Sequence, residues 1–174
     1  STSEPFLHEN PDGHQAFPAF NMGLELDNLN VAGILSKAGY RTGFAGKYHA
    51  SGIESLRTRS DYKAWGLKYI PRDAKRSPEL SEAFSYNEIQ YRKLLTSRGF
   101  HWAKNIYLGN TEKPYSEHNL EWTIDAGLEF IEDNIKSGSG QPFYLHLCTT
   151  LVHGPDRSWS RSIGQPLVSG SGLE

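Results

Sequence analysis

The chain has a single cysteine, Cys148, so no disulfide can form within it. It lacks any apolar run of the roughly 18 residues that a membrane-crossing helix needs. Neither sign of charge is in excess: 18 Lys and Arg against 20 Asp and Glu leave a net charge of −2. No basic cluster is offered to a phosphate backbone or an anionic bilayer, and neither nucleic acid nor membrane is an expected partner. The start carries neither a charged n-region nor an apolar h-region. Ser1 stands without methionine, and Ser169-Gly170-Ser171-Gly172-Leu173-Glu174 completes no element, so the expectation is an internal fragment of a longer protein.

What is present suits a globular domain. Hydrophobic residues make up 37% and aromatics 12%, too many for a disordered chain. A chain of 174 residues is about one domain in length and can bury roughly two-thirds of its unfolded surface.

The chain is organised around Gly39-Tyr40-Arg41-Thr42-Gly43-Phe44-Ala45-Gly46-Lys47-Tyr48-His49. Before it, Val31, Ile34, Leu35 and Ala38 recur at helical spacing, with Asp27 and Asn28 as N-cap candidates. Gly39 ends that helix, because a residue without Cβ takes the left-handed conformation freely. Tyr40 to Ala45 reads as a strand, and Gly46, Lys47 and His49 follow at its C-terminal end, where ligands bind in open α/β sheets. A fixed cation and an imidazole at such a place suit an anion-handling site.

Elsewhere, residues 1 to 23 read as loop, with Pro5, Pro11, Gly13 and Pro18. Its His8 and His14 lack the clustered partners of a metal site. Residues 52 to 77 sustain no period and read as an irregular insertion. Tyr62, Trp65 and Tyr69 lie there among basic residues, where packing outweighs sugar stacking as an explanation. Ser77-Pro78-Glu79 is a helix start, followed by the stripe Leu80, Phe84, Tyr91, Leu95 and the stop Arg98-Gly99. Residues 100 to 116 again read as loop, with His101, Trp102 and the later His118 assigned to packing or surface. Leu120, Ile124, Leu128, Ile131 and Ile135 then share one helix face, with Glu121, Glu129, Glu132 and Asp133 on the wet side.

Pro142 to Thr150 is the clearest strand, apolar on both alternating faces as in a central parallel strand. His146 inside it is expected to be buried and structural. His153 follows its C-terminal end within Leu151-Val152-His153-Gly154-Pro155. The fold class expected is α/β, a mostly parallel sheet flanked by helices and incomplete in this fragment.

The run Ala38-Gly39-Tyr40-Arg41-Thr42 to Gly46-Lys47-Tyr48-His49 resembles a signature of the sulfatase family, within the alkaline-phosphatase-like superfamily. Members read Gly-Tyr-x-Thr and then Gly-Lys-Trp-His-Leu-Gly; here Tyr48 replaces the tryptophan and Ala50-Ser51-Gly52 follows the histidine. Phe143-Tyr144-Leu145-His146-Leu147 with His153-Gly154-Pro155 is similar to the family's Pro-Phe-Phe-Leu-x-Leu strand and its Pro-His-Gly-Pro turn, Val152 standing for the proline. Leu7-His8-Glu9-Asn10 with Gly13 more weakly resembles the turn that follows the family's nucleophile motif.

The resemblance implies an alkaline-phosphatase-like fold, with residues 1–174 as part of a single catalytic domain and 52–118 as its inserted, irregular and helical segment. It implies hydrolysis of a sulfate ester, small-molecule or carbohydrate. A formylglycine, made from cysteine or serine in Cys-x-Pro-x-Arg, would be the nucleophile, beside a divalent cation, calcium. Lys47 would bridge nucleophile and sulfate. His49 would hydrogen-bond the formylglycine diol, and His153 would contact sulfate and protonate the leaving oxygen. Lys47 and His153 are thus the substrate-binding candidates, and Lys47, His49 and His153 the catalytic ones.

No nucleophile motif occurs in the chain: Cys148 is followed by Thr149-Thr150, and Ser3-Glu4-Pro5 lacks its arginine at Leu7. Nucleophile and metal ligands are accordingly expected outside this fragment, and no metal ligand is assigned within it. Export to periplasm, lysosome or exterior is the family's habit. Two alternatives stand beside this reading: a phosphodiesterase or phosphonate monoester hydrolase of the same superfamily, and a non-catalytic carbohydrate-binding relative.

Overall fold

The computed structural model describes residues 7–9, 16–18, 29–48, 58–71, 73–108, 120–149, 168–169 and 172–173, the short terminal strands by backbone alone. Along the chain lie β1 (Leu7–Glu9), β2 (Ala16–Pro18), α1 (Val31–Lys37), β3 (Arg41–Lys47), α2 (Arg59–Ala64) and α3 (Pro78–Thr96). They are followed by β4 (Trp102–Tyr107), α4 (Leu120–Lys136), β5 (Phe143–Cys148), β6 (Val168–Ser169) and β7 (Gly172–Leu173). β1 pairs antiparallel with β2, and β6 with β7. The remaining strands make one parallel sheet in the order β4-β3-β5.

The fold is therefore α/β, a three-stranded all-parallel sheet with helices on both faces. On one face Phe44 of β3 packs with Ala103 and Ile106 of β4 and Leu95 of α3. On the other, Phe130 of α4 lies over Gly43, so closely that a Cβ there would stand 2.6 Å from its ring. The β3-to-β4 crossover carries α3 on the first face, and the β4-to-β5 crossover carries α4 on the second while moving back across β3. Reversing both direction and face leaves the two crossovers with the same hand, as strand twist demands of parallel units. No helix among the described residues is long and apolar enough to cross a membrane.

The local signals explain most elements. Ser77 caps α3, its Oγ accepting from the Leu80 N–H at 3.2 Å, with Pro78 in the first turn. The expected stripe holds: Leu80 and Leu95 are buried, and Phe84 and Tyr91 pack against the clusters. Gly39 has φ +89 just beyond α1. The cap of α1 is Asn30, whose Oδ1 accepts from the Gly33 N–H at 2.9 Å, because the first helical residue is Val31. The expected caps Asp27 and Asn28 lie outside the described residues.

Three expectations change. Residues 102–107, read as loop, are the strand β4. Lys104 and Asn105 interrupt its apolar alternation, and both are satisfied only in three dimensions. Lys104 pairs with Glu129 of α4, and Asn105 donates from Nδ2 to the Trp122 carbonyl at 2.5 Å. Second, α4 buries Thr123, Ala126, Gly127 and Phe130 rather than its most apolar stripe; Leu128 and Ile135 are exposed. Small residues let the helix sit close to the sheet, where Leu128 would not fit. Third, β5 is a sheet edge and not a central strand among the described residues.

Within residues 58–71, α2 carries a capping box between Thr58 and Asp61. Tyr62 and Ile70 pack against Leu80 and Ala83 of α3, and Asn87 clasps the Lys68 backbone through two 2.8 Å hydrogen bonds. These contacts favour packing over sugar stacking for Tyr62.

Buried Glu88 of α3 accepts from the Ile106 N–H at 3.1 Å and pairs with Arg92 at 2.6 Å. Removing the carboxylate by Glu88→Ala leaves a buried backbone donor unsatisfied, while half-exposed Arg92 can rehydrate. The expected cost is about 2 kcal/mol, read as a lower urea midpoint, with Glu88→Gln losing less because it keeps an acceptor.

Candidate functional site

β3 and β5 run parallel and in register, so Gly46 stands opposite Cys148 and both strands end at one sheet edge. Beside that end, on the α1 and α3 face, lies a cavity of about 380 Å³. Asn30, the cap of α1, and Ala32 within it form one wall, Tyr144, His146 and Cys148 another, and Phe44 part of the third.

Lys47 also lines this cavity, three residues after Phe44, where strict strand alternation would send it to the opposite face. Two irregularities place it there. The register slips between Ala45 and Gly46, leaving Asn105 as an extra residue on β4 with φ 57. Gly46 itself has φ +98. Such bulges re-aim side chains at strand ends.

Tyr48 anchors the strand end. Its N–H donates to the Tyr107 carbonyl at 2.8 Å, and its hydroxyl accepts from Arg98 Nη1 at 2.7 Å in a buried contact. Its ring meets Phe44 edge-on, centroids 5.4 Å apart. The residue between Lys47 and His49 is thus tied to β4, to the end of α3 and to the core.

His146, expected to be buried, is exposed as a residue, on a strand that pairs with β3 alone among the described residues. Its ring stacks on Phe44 at 5.0 Å, and Nδ1 lies 3.1 Å from the Tyr144 hydroxyl. Lost hydration against Phe44 lowers its basicity below the ordinary 6.5. Native His146 thus binds a proton less readily than in the unfolded chain. Its contribution to stability is complete above pH 6.5 and is lost as pH falls through its lower native value. Acid titration of the unfolding free energy should be shallower over that window in His146→Gln, and an unchanged slope would refute the assignment.

Burial raises the thiol of Cys148, with the Lys47 charge acting in the opposite direction. Tyr144 is likewise raised, by burial first and then by Cys148. A thiol held protonated is a poor nucleophile. The cavity can therefore hold an anion against a cation and exchange a proton through an imidazole.

Of the residues expected from sequence, the structure places Lys47 in the cavity. His49 and His153 lie outside the described residues, although the strands that precede them end side by side. His14 and His118 also lie outside them, and of His8 only the backbone is described. His101 is structural: Nδ1 accepts from the Thr42 N–H at 3.1 Å, and Nε2 lies 3.1 Å from Ser36 Oγ. Arg98, Tyr48 and His146 were not expected at the site. For His146 a signal existed, since it shares parity with Cys148 on β5. For Tyr48 the signal was its departure from tryptophan, which supplies a hydroxyl that reaches Arg98.

Among the described residues no three His, Cys, Asp or Glu side chains converge to hold a metal ion. These residues do not form a calcium site. Against known proteins, no family model matches the chain, and no curated protein matches it.

Proposed function

We propose that the chain forms part of a sulfatase with an alkaline-phosphatase-like fold, hydrolysing a sulfate ester of a small molecule or carbohydrate. The observation that carries the reading is Lys47, turned into a cavity at the C-terminal end of a central parallel strand, inside Gly46-Lys47-Tyr48-His49. In such a reaction an oxygen nucleophile forms a bond to sulfur, the bond from sulfur to the ester oxygen breaks, and the leaving alkoxide takes a proton. Over the whole cycle one water is consumed and sulfate is released.

A formylglycine diol would supply the nucleophilic oxygen from outside these 174 residues, since no Cys-x-Pro-x-Arg or Ser-x-Pro-x-Arg occurs here, and the divalent cation would be held there with it. This chain's own part is electrostatic and protonic. The Lys47 ammonium is a point charge suited to a tetrahedral anion and gains strength in a site walled by Phe44 and Phe100. His49, two residues on, hydrogen-bonds the nucleophile, and His153 protonates the leaving oxygen. Tyr48, held by Arg98, fixes the backbone that follows Lys47.

The test has two steps. Sequencing the gene on both sides of these codons should find the Cys-x-Pro-x-Arg or Ser-x-Pro-x-Arg motif. The protein so encoded, produced with formylglycine verified by mass spectrometry, should turn over 4-nitrophenyl sulfate faster than bis(4-nitrophenyl) phosphate or a phenyl phosphonate ester. The reverse preference supports the phosphoryl-transfer reading, and turnover of none with retained sugar binding supports the non-catalytic one. The isolated 174-residue chain should be inert, and measurable sulfatase turnover by it would refute the placement of the nucleophile.

A further inference from the structure

Asn105 is the one non-glycine at positive φ among the described residues, and it stands in β4 beside the strand end that carries Lys47. Its φ of 57 is left-handed, a conformation foreign to a regular β ladder. Ala45 pairs with Lys104, but the pairing resumes as Gly46 with Ile106 and Lys47 with Tyr107, so Asn105 is the residue in excess. Gly46 turns β3 at φ +98, and the extra residue on β4 lets the ladder follow that turn.

Helices on both faces of the sheet commit polar groups to this bulge. From α4, the first-turn Trp122 carbonyl accepts from Asn105 Nδ2 at 2.5 Å. From α3, buried Glu88 accepts from the Ile106 N–H at 3.1 Å. A regular strand would need neither, and burying a carboxylate is costly. Tyr107 continues the clamp. Its ring lies 6.4 Å from that of Trp122, its carbonyl accepts from the Tyr48 N–H at 2.8 Å, and its hydroxyl donates to the Cys148 carbonyl at 3.4 Å. The first turn of α4 is thereby linked to the ends of all three strands. Backbone strain held by its surroundings in this way gathers at functional sites.

Asn105 is 6% exposed and does not line the cavity, so it touches no substrate there. We infer that Asn105 is a positioning residue: its left-handed backbone, tied to the first turn of α4, keeps Lys47 aimed into the cavity rather than toward α4. The catalytic consequence rests on the sulfatase reading; the aim of Lys47 does not.

The test follows alkylation of Cys148 against pH in the full-length protein, on its own peptide by mass spectrometry. Asn105→Val and Asn105→Gly both lose the bond to Trp122, but only valine resists positive φ, so their difference reads the bulge alone. Asn105→Val should move the profile to higher pH by most of the shift that Lys47→Met gives, because the ammonium leaves the thiol. Asn105→Gly should keep the wild-type profile. In a Lys47→Met background Asn105→Val should add nothing, which separates a displaced lysine from a general loosening of the fold. Asn105→Ala should give a partial shift and takes the place of valine if that variant does not fold. In the sulfatase, Asn105→Val should also lower kcat by about 10²-fold, the cost of a misplaced group. An unchanged thiol profile in the folded valine or alanine variant overturns the inference. So does an equal shift in Asn105→Gly, or a further shift in the Lys47→Met background. Should the thiol results hold while the full-length protein hydrolyses no sulfate ester, the sulfatase reading falls and the role of Asn105 toward Lys47 stands.

Discussion

Gly46→Ala is expected to cost about 3–5 kcal/mol, combining strain at positive φ with forced overpacking. The added Cβ would lie 2.0 Å from the Cys148 carbonyl oxygen and 2.8 Å from the Thr123 methyl. The first obstacle is backbone, so no rotamer change relieves it; β3 and β5 must separate or the strand end must untwist. For a domain of this size the loss corresponds to a fall in melting temperature of roughly 10 °C. Gly39→Ala is the control, with a similar φ of +89 and nothing within 4 Å of the built Cβ. It should cost about 1 kcal/mol, the strain alone. Equal melting temperatures for the two variants would mean that the close approach of Gly46 to Cys148 is not maintained in solution.

Lys47→Met is the second large effect, and it reads on two scales. In the active sulfatase proposed above, removing a preorganised charge from the sulfonyl oxygens should lower kcat by about 10²–10³, as loss of a single such donor does elsewhere. A fall of less than about tenfold would remove Lys47 from the site. The other scale needs no activity. Burial raises the Cys148 thiol while the Lys47 charge pulls it down, so removing that charge leaves the burial unopposed. The pH profile of Cys148 alkylation should move to higher pH in Lys47→Met. An unchanged profile would show that the ammonium is not near the thiol, and the geometry of the site would then be wrong whatever the reaction.

Residues close in sequence carried the legible part of this fold. Ser77, Pro78 and Glu79 announce α3 because capping uses neighbours three residues apart, and Gly39 announces the end of α1 because positive φ is a local demand. The apolar run at 143–148 announces a strand. Lys47 at a strand's C-terminal end was legible for the same reason. β4 was not, since Lys104 and Asn105 suit a strand only once Glu129 and the Trp122 carbonyl are beside them.

The sequence by itself determined α1, α3, α4, β3 and β5, and that a lysine follows Gly46 at the end of β3. Only the tertiary structure decided which face of α4 is buried, because close approach to the sheet selects Thr123, Ala126 and Gly127 over the more apolar Leu128. It alone decided that Lys47 shares a cavity with Phe44, through the bulge at Asn105 and the positive φ of Gly46. It likewise decided that Tyr48 is held by Arg98, fifty residues away. Periodicity records how apolar a face is; which face is buried depends on the shape of the surface it meets.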